Sequence, residues 1–213
     1  MARIETIVFD LGGVLIDWDP RYLYRKIFTD EAALEDFLAT ITTTEWHIEQ
    51  DRGRTMEEAT VLLVSRHPEH AAEIKAYYDR WDEMFGGPIE GTVDILRELR
   101  ERGYPLHALT NWSAETFPVA RESYDFLGLF DEIVVSGEER LIKPDKDIYN
   151  VLVQRTGLDP ATTVFIDDSL PNVTAAKELG FVALAFQNPN RLRQDLAELD
   201  LLPDTPNKAS SNA

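Results

Sequence analysis

The spacing of hydrophobic and polar positions changes along the chain and divides it into two kinds of segment. Near the amino terminus, an apolar run rich in β-branched residues begins at about Ile4 and stops at Asp10, which predicts a buried strand. From Pro20 to about Phe85, apolar residues recur at helical spacing, and no run favours a strand. The pattern therefore predicts one strand followed by a block of helices.

After Gly86, strand-like apolar runs alternate with amphipathic segments. The predicted elements are helix 91–102, strand 105–110, helix 114–124, strand 132–136, helix 145–156, strand 163–167, helix 171–179 and strand 182–186. This alternation is typical of a parallel sheet with helical crossovers. Because the first strand precedes the helical block, the predicted fold class is α/β. We expect a doubly wound, Rossmann-like parallel-sheet core with an all-helical cap inserted after its first strand.

These changes of pattern also give domain boundaries. Residues 1–16 and 87–202 are predicted to form the core, and residues 17–86 are predicted to form the cap. The polar segment 203–213 has too little apolar content to pack, so it is predicted to be a flexible tail.

Composition narrows the possible functions. The 213 residues include 39 acidic and 21 basic ones, and a net charge of −18 argues against nucleic acid or an anionic membrane as partner. The absence of cysteine excludes disulfides and cysteine-ligated metal, and it suits a reducing compartment. No apolar run resembles a signal peptide or a membrane span, so we expect a cytoplasmic protein. No feature indicates an oligomeric state.

Polar side chains stand where predicted strands end. Asp10 ends the first strand, shortly before Gly12 and Gly13, and Thr110 with Asn111 ends strand 105–110. Open α/β sheets bind ligands at the carboxyl ends of their strands. Taken singly, however, each of these residues is equally typical of an ordinary turn.

Two further stretches add charge at the same predicted edge. Lys143 precedes a helix whose first turn is predicted to contain Pro144, so its cation could project toward the sheet. Asp167 and Asp168 end strand 163–167, where their repulsion is costly unless they share a cation or a proton. Alternatively, Asp168 or Ser169 could simply cap the following helix.

In this order, the four stretches resemble the motifs of the haloacid dehalogenase superfamily, whose members are hydrolases with an aspartate nucleophile. The resemblance covers nearly the whole chain, including a helical cap between the first and second motifs. It implies that Asp10 is the nucleophile, and that a lysine and small donors hold the transferred group. The implied catalytic residues are Asp10 and Lys143, and the implied phosphate-binding residues are Gly13, Thr110, Asn111 and Lys143.

The resemblance also implies a magnesium cofactor. Magnesium prefers oxygen ligands, and those implied are Asp10, the main-chain carbonyl of Gly12, Asp168 and, directly or through water, Asp167. Transfer of a phosphoryl group to a carboxylate requires neutralisation of its oxygens, which a lysine and a divalent cation provide. The predicted function is a magnesium-dependent phosphatase that acts on a small phosphorylated metabolite through an aspartyl phosphate. A sugar 1-phosphate is one candidate substrate.

One position departs from the family pattern. Phosphatases of this superfamily usually carry a second aspartate two residues beyond the nucleophile, which acts as general acid and base, whereas this chain has Gly12. Such a group typically contributes about 10²- to 10⁴-fold to the rate. Slow turnover, a better leaving group or an alternative base must compensate. Some phosphatases of the superfamily also have glycine there, so Gly12 does not imply an inactive protein.

Other functions remain open. A 2-haloacid dehalogenase uses the same aspartate without a leaving-group acid, which Gly12 allows, but those enzymes lack the metal and usually carry serine and asparagine at the fourth motif. Two acids there would also repel a carboxylate substrate. A phosphonate hydrolase requires a reactive cap lysine, and the insertion contains Lys26 and Lys75. A weakly active or non-catalytic binding module is the third class.

The cap should select the substrate, but its sequence is less informative. Aromatic and cationic residues of the insertion that could face the cleft are Trp18, Trp46, His47, Arg21, Arg25, Arg52 and Arg54. Aromatics at helical spacing more often belong to a core, and arginines in so acidic a chain more often form ion pairs. In the core, Asn172 could order the metal loop, and Trp112 could shape the cleft wall.

Overall fold

The structure, a computed structural model, describes residues 3–204. Its strands are β1 (Thr6–Phe9), β2 (Ile16–Trp18), β3 (Phe85–Pro88), β4 (Leu106–Thr110), β5 (Glu132–Val135), β6 (Thr163–Asp167) and β7 (Val182–Ala185). Five of them form a sheet in the order β5-β4-β1-β6-β7, in which every neighbouring pair is parallel. The remaining two, β2 and β3, pair antiparallel. The predicted α/β fold with a parallel sheet is confirmed.

Helices surround the sheet and fill the insertion. The α-helices are α1 (Arg21–Tyr24), α2 (Glu31–Thr40), α3 (Thr44–Asp51), α4 (Met56–Arg66), α5 (Ala71–Asp79), α6 (Glu90–Glu101), α7 (Phe117–Ser123), α8 (Ser136–Glu139), α9 (Lys146–Thr156), α10 (Leu170–Glu178) and α11 (Pro189–Glu198). Short 3-10 helices lie at Pro68–His70, Trp81–Met84, Asp125–Leu129 and Pro160–Thr162.

The sheet is buried on both faces. Along β1, Ile7 and Phe9 pack with α6, α7 and α11, whereas Val8 points to the other face and packs with α9 and α10. Successive side chains of a strand alternate between faces, so a strand covered on both sides must be apolar throughout. This explains the unbroken apolar run before Asp10.

The cap has a hydrophobic cluster of its own, built from helices α1 to α5. Three of these helices begin at residues whose side chains cap them, Asp30, Thr43 and Thr55. Their buried faces meet around Tyr24 and Tyr77, which are almost completely inaccessible. Separate clusters of buried side chains therefore stabilise the core and the cap.

The pair of strands β2 and β3 connects the two parts and was not predicted. Ile16 packs in the core cluster, whereas Trp18 packs against the cap cluster. Both strands are short, and β3 contains Gly86 and Gly87, which have low strand propensity. The cap is thus helical as predicted, but it joins the core through an antiparallel strand pair.

The other predicted elements are present, with small differences. Helix α7 is shorter than predicted, and α9 begins at Lys146, so Pro144 lies before the helix rather than in its first turn. Helix α11 was not predicted, although Leu192 and Leu196 bury its apolar face against the core. From residue 205 onward, the predicted flexible tail lies outside the described residues.

Candidate active site

A cleft of about 260 Å³ lies between the carboxyl ends of the core strands and the cap. Its lining combines residues of both parts: Gly12, Gly13, Trp18, His47, Asp51, Trp81, Asn111, Trp112 and Asp168. The predicted motifs after β1, β4 and β6 therefore meet at one cleft, as the topology of a parallel sheet requires. Trp112 lies in the wall, as expected.

Asp10 is held in a fixed orientation directly after β1. Its Oδ1 accepts a hydrogen bond from the Leu11 amide at 2.8 Å, and its Oδ2 lies 2.8 Å from Lys143 Nζ. Burial, which the charge of Lys143 opposes, raises the pKa of Asp10 to about 7. Additional positive charge near Asp10 would favour the ionised form that a nucleophile requires.

Lys143 contacts two acids of the site, Asp10 and Asp167. Its ammonium group is buried and donates to Asp167 Oδ2 at 2.7 Å and to the Leu109 carbonyl at 2.8 Å. Burial lowers the pKa of Lys143, but the charges of Asp10 and Asp167 outweigh it, and the pKa lies above its ordinary value. The lysine is therefore a permanent cation at the centre of the site.

Asn111 holds the backbone of the loop that carries this lysine. Its Oδ1 accepts from the Lys143 amide at 2.8 Å, and its Nδ2 donates to the Lys143 carbonyl at 3.0 Å. Both the donor and the acceptor of the Asn111 side chain are thus used to position the lysine. A contact of Asn111 with phosphate stays a prediction.

The two acids after β6 differ in their surroundings. Asp167 is fully buried and accepts hydrogen bonds from the Ser169 amide at 2.8 Å and from Asn172 Nδ2 at 3.0 Å. Asp168 is exposed toward the cleft, and partial desolvation together with the charge of Asp167 raises its pKa. Asp167 is therefore fixed by the protein, while Asp168 is available to a ligand. Asn172 orders this loop, as expected.

The donor set fits a magnesium ion. Carboxylate oxygens of Asp10, Asp167 and Asp168 lie within 4.8 Å of one another, and one buried lysine cannot balance three acids. The backbone at Gly13 leaves room for this arrangement, because a Cβ there would lie 2.3 Å from Asp168 Oδ2 and the residue has a φ of +73°.

Thr110 supplies an unused polar atom beside these charges. Its side chain is buried, with 1% of the residue exposed, and its hydroxyl has no hydrogen-bond partner within residues 3–204. A buried hydroxyl without a partner costs about 1–3 kcal/mol. A bound anion with acceptor oxygens would satisfy it.

Gly12 differs from Gly13 in that nothing requires a glycine there. A Cβ at Gly12 meets no atom within 4 Å, and its φ lies outside the left-handed region. The absence of an acid at this position is therefore not imposed by packing or by the backbone.

Aromatic rings of the cap cover the cleft. The rings of Trp18, His47 and Trp81 contact one another: the imidazole centroid lies 5.1 Å from that of Trp18 and 5.8 Å from that of Trp81, and the two indoles are 5.4 Å apart. Burial lowers the pKa of His47 to about 4, so the imidazole is neutral near pH 7. Of the cap residues predicted to face the cleft, Trp18 and His47 do so.

The other predicted cap contacts have structural roles. Trp46 belongs to the cap cluster and donates its indole proton to the Ala59 carbonyl at 3.3 Å. The four arginines lie outside the cleft lining and bind elsewhere: Arg21 to Glu35, Arg25 to Glu31, Arg52 to Asp145, and Arg54 to Gln50. Arg21, Arg25 and Arg52 form ion pairs, as expected for so acidic a chain, whereas Arg54 donates to neutral groups.

Asp51 and Trp81 line the cleft but were not predicted. Asp51 is one of 39 acidic residues, and it ends a helix whose sequence does not distinguish it from its neighbours. Trp81 lies in the segment of helical spacing, where aromatic residues more often belong to a core, and it does pack in the cap cluster as well. Only the packing of the cap onto the core reveals that both reach the cleft.

Comparison with known proteins identifies the family. A family model described as haloacid dehalogenase-like hydrolase matches residues 4–180, and the chain belongs to this family. It is 32% identical over 199 residues to the sesquiterpene phosphatase astK of Aspergillus oryzae, a match covering 93% of this chain and 97% of that protein. The predicted membership of a hydrolase family is thus confirmed.

Two other comparisons concern the metal ion and the type of reaction. A HAD family enzyme from Bacteroides thetaiotaomicron, solved in complex with magnesium and inorganic phosphate, is similar with a TM-score of 0.67 and 26% identity, over 87% of this chain and 95% of that one. An (S)-2-haloacid dehalogenase from a Pseudomonas species is 29% identical over 117 residues, which cover 55% of this chain and 49% of that enzyme. Within residues 3–204, no helix has the length and apolar character of a membrane span.

Proposed function

We propose that this hydrolase is a magnesium-dependent phosphatase that cleaves small phosphate monoesters through an aspartyl phosphate on Asp10. The observation that carries the proposal is the grouping of three carboxylates around one buried lysine at the carboxyl edge of the sheet. This arrangement suits an anion bound together with a divalent cation. The phosphatase among the relatives supports the same reaction.

The residues of the chain have distinct tasks in this reaction. The Leu11 amide and Lys143 orient the carboxylate of Asp10 toward the cleft, so an oxygen can attack phosphorus. The unpartnered hydroxyl of Thr110 donates to a phosphoryl oxygen, and the cation of Lys143 neutralises charge that develops there. The buried position of these groups strengthens each interaction.

Asp10, Asp167, Asp168 and the Gly12 carbonyl would hold the magnesium ion. When bound, the ion supplies positive charge to the phosphoryl oxygens and to the acids that surround it. Burial raises the pKa of Asp10 to about 7, and a cation held beside it would favour its ionised form at neutral pH.

The cap favours a small polar alcohol as the leaving group. Trp18 and Trp81 line the cleft, and their buried indole nitrogens have no hydrogen-bond partner in the described part of the chain. Stacked aromatic rings with free N–H donors suit a ring that carries both C–H faces and oxygen acceptors. A sugar 1-phosphate meets this description, and its anomeric oxygen is a comparatively good leaving group.

A 2-haloacid dehalogenase is the second candidate, because a relative with that activity matches about half of this chain. Attack of Asp10 on carbon would require no cation. Asp167 and Asp168 oppose this function, since their charges would repel a carboxylate substrate.

A screen that measures both products separates the two functions. The protein is incubated with phosphorylated metabolites, including sugar 1-phosphates and isoprenoid phosphates, and with 2-haloacids, each with magnesium or with EDTA. We expect phosphate release that requires magnesium and is fastest with a sugar 1-phosphate. Halide release that persists in EDTA, without phosphate release, would contradict the proposal. Fastest hydrolysis of an isoprenoid phosphate would contradict only the substrate class.

A further inference from the structure

A buried acid of the cap lines the same cleft as Gly12, the position at which the core has no acid. Asp51 ends helix α3, is 5% exposed and lines the cleft together with Gly12 and Asp168. An alkoxide is a poor leaving group unless an acid protonates it, and none of the core residues assigned above carries out that transfer. The cleft therefore contains a carboxyl group that has no part in nucleophilic attack or in binding of the phosphoryl group.

The position of Asp51 is fixed by contacts between cap and core. Its main-chain carbonyl accepts a hydrogen bond from Ser136 Oγ at 2.7 Å, and the same Oγ accepts from the Trp112 amide at 2.9 Å. Trp112 directly follows Asn111, which holds the loop of the catalytic lysine. Asp51 is thus anchored to the same part of the core that positions the reacting groups.

The neighbours of the Asp51 carboxyl are suited to proton exchange. His47 Nε2 lies 3.6 Å from Asp51 Oδ2, and Tyr77 Oη lies 3.1 Å from His47 Nδ1. If the tyrosine donates to Nδ1, the imidazole carries its proton on Nε2 and faces the carboxylate. A neutral imidazole in that tautomer stabilises the charge that Asp51 acquires after it releases a proton.

The charged and titratable groups that act on Asp51 come from three directions. They are Asp10 and Lys143 in the core, His47 on its own helix, and Tyr77 and Tyr78 on α5. Burial raises the pKa of Asp51 to about 7, the charge of Asp10 adds to this effect, and Lys143 opposes it. A pKa near the working pH is the value that suits a group required to give and accept protons.

We propose that Asp51 is the general acid and base of this hydrolase, supplied by the cap in place of an acid at Gly12. The proposal rests on the phosphatase function proposed above. In the first step, an oxygen of Asp10 attacks phosphorus, the bond to the leaving oxygen breaks, and the proton of Asp51 transfers to that oxygen. The products are the free alcohol, an aspartyl phosphate and an ionised Asp51.

In the second step, Asp51 accepts a proton from water as the water oxygen attacks phosphorus. The bond between phosphorus and the Asp10 oxygen breaks, and its electron pair returns to the carboxylate. Inorganic phosphate leaves, while Asp51 is again protonated for the next cycle. Protons and charges balance over both steps without a further reactant.

The test compares leaving groups. The variants Asp51→Asn and Asp79→Asn, the second an exposed cap acid, are assayed with p-nitrophenyl phosphate and with simple alkyl phosphates. A good leaving group needs no proton, so for Asp51→Asn we expect kcat/KM on the aryl ester within about threefold of wild type and a loss of about 10²- to 10³-fold on alkyl esters. The alkaline decline of the alkyl rate should also disappear. Asp79→Asn should match wild type on both.

A second variant and the wild-type enzyme provide independent evidence. In the Asp51→Asn background, Gly12→Asp should raise kcat/KM on alkyl esters by at least about tenfold. The new side chain can be accommodated, because a Cβ at Gly12 meets no atom within 4 Å. Wild-type kcat/KM should differ by less than about a hundredfold between aryl and alkyl esters.

Three results would overturn the proposal. Equal losses on aryl and alkyl esters in Asp51→Asn would assign the residue a structural role. If that variant does not fold, a fall of more than about 10⁴-fold from aryl to alkyl esters in the wild type would show that no acid assists. Failure of wild type to release phosphate from any ester would instead refute the phosphatase function itself.

Discussion

The core side of the cleft, called the floor here, and the cap side, called the roof, differ in whether their charged groups are paired. In the floor, Asp10, Lys143 and Asp167 form a network with distances of 2.7–2.8 Å between lysine nitrogen and carboxylate oxygens. In the roof, which consists of Trp18, His47, Asp51 and Trp81, the acid faces a neutral imidazole and no cation of the cap lines the cleft. The floor has paired charges, whereas the roof has one acid that burial favours in its neutral form.

This difference assigns different parts of the substrate to the two regions. A network of fixed charges can bind a phosphoryl group and a cation without reorganising, which lowers the barrier to phosphoryl transfer. The roof offers ring faces, N–H donors and a proton carrier, which suit an uncharged alcohol that arrives and leaves. Interactions with phosphate should therefore depend on the floor, and leaving-group preference should depend on the roof.

The largest expected effect is at the floor. Asp10→Asn keeps the shape of the side chain but removes the attacking charge and a metal ligand, so phosphate release should fall by more than about a thousandfold. The fold should persist, because the change also removes a buried charge whose pKa is raised. Phosphate assays and thermal unfolding measure the two effects. Activity above about a tenth of wild type would contradict the nucleophile assignment and the division between floor and roof.

A smaller difference is expected between the two acids after β6. Asp167→Asn removes a charge from a buried pair with Lys143, which commonly costs about 3–5 kcal/mol of unfolding free energy. Asp168 is exposed, so Asp168→Asn should leave the unfolding free energy nearly unchanged but raise the magnesium concentration for half-maximal activity by about 10- to 100-fold.

Denaturant unfolding in EDTA and magnesium titration of activity measure these two effects. Asp167→Asn should mainly lose stability, whereas Asp168→Asn should mainly lose affinity for magnesium. Equal effects of both variants on stability and on magnesium dependence would mean that the two acids act as one unit.

The floor could be predicted from the sequence, whereas only Trp18 and His47 of the roof could be named as candidates. Asp10, Thr110 and Asp167 each follow an apolar run, and the topology of a parallel sheet brings the ends of such runs together. Asp51 and Trp81 reach the cleft only because α3 and the segment after α5 pack onto the core in one particular way. That packing depends on contacts between distant residues, such as Ser136 with Asp51, which leave no periodic trace in the sequence.

The unpaired acid of the roof should be visible in the pH dependence of stability. The folded state holds the pKa of Asp51 at about 7, above the ordinary value of 3.8. Between these values the folded protein binds a proton that the unfolded chain has lost, so Asp51 lowers stability as pH rises. Removing this acid should therefore stabilise the protein at pH 8 relative to pH 4, by roughly 4 kcal/mol.

Asp10 titrates over the same range, so the measurement compares Asp10→Asn with the double variant Asp10→Asn/Asp51→Asn in EDTA. Urea unfolding between pH 4 and 8 should give a difference that grows with pH. A constant difference for Asp51→Asn would mean that the carboxyl has an ordinary pKa. The contrast between paired floor and unpaired roof would then be wrong.

The smallest expected effect concerns recognition of the alcohol by the roof. Trp18→Phe retains an aromatic ring in the cleft but removes an indole N–H that has no partner among the described residues. Loss of one hydrogen bond to substrate costs about 0.5–1.5 kcal/mol, so KM for a sugar 1-phosphate should rise about 2- to 10-fold while kcat changes little. Trp46→Phe is the matched control, because its indole donates to Ala59 within the cap cluster, away from the cleft. For p-nitrophenyl phosphate, whose ring offers no sugar hydroxyl, neither variant should alter KM, and an equal rise for both substrates would mean that Trp18 only shapes the cleft.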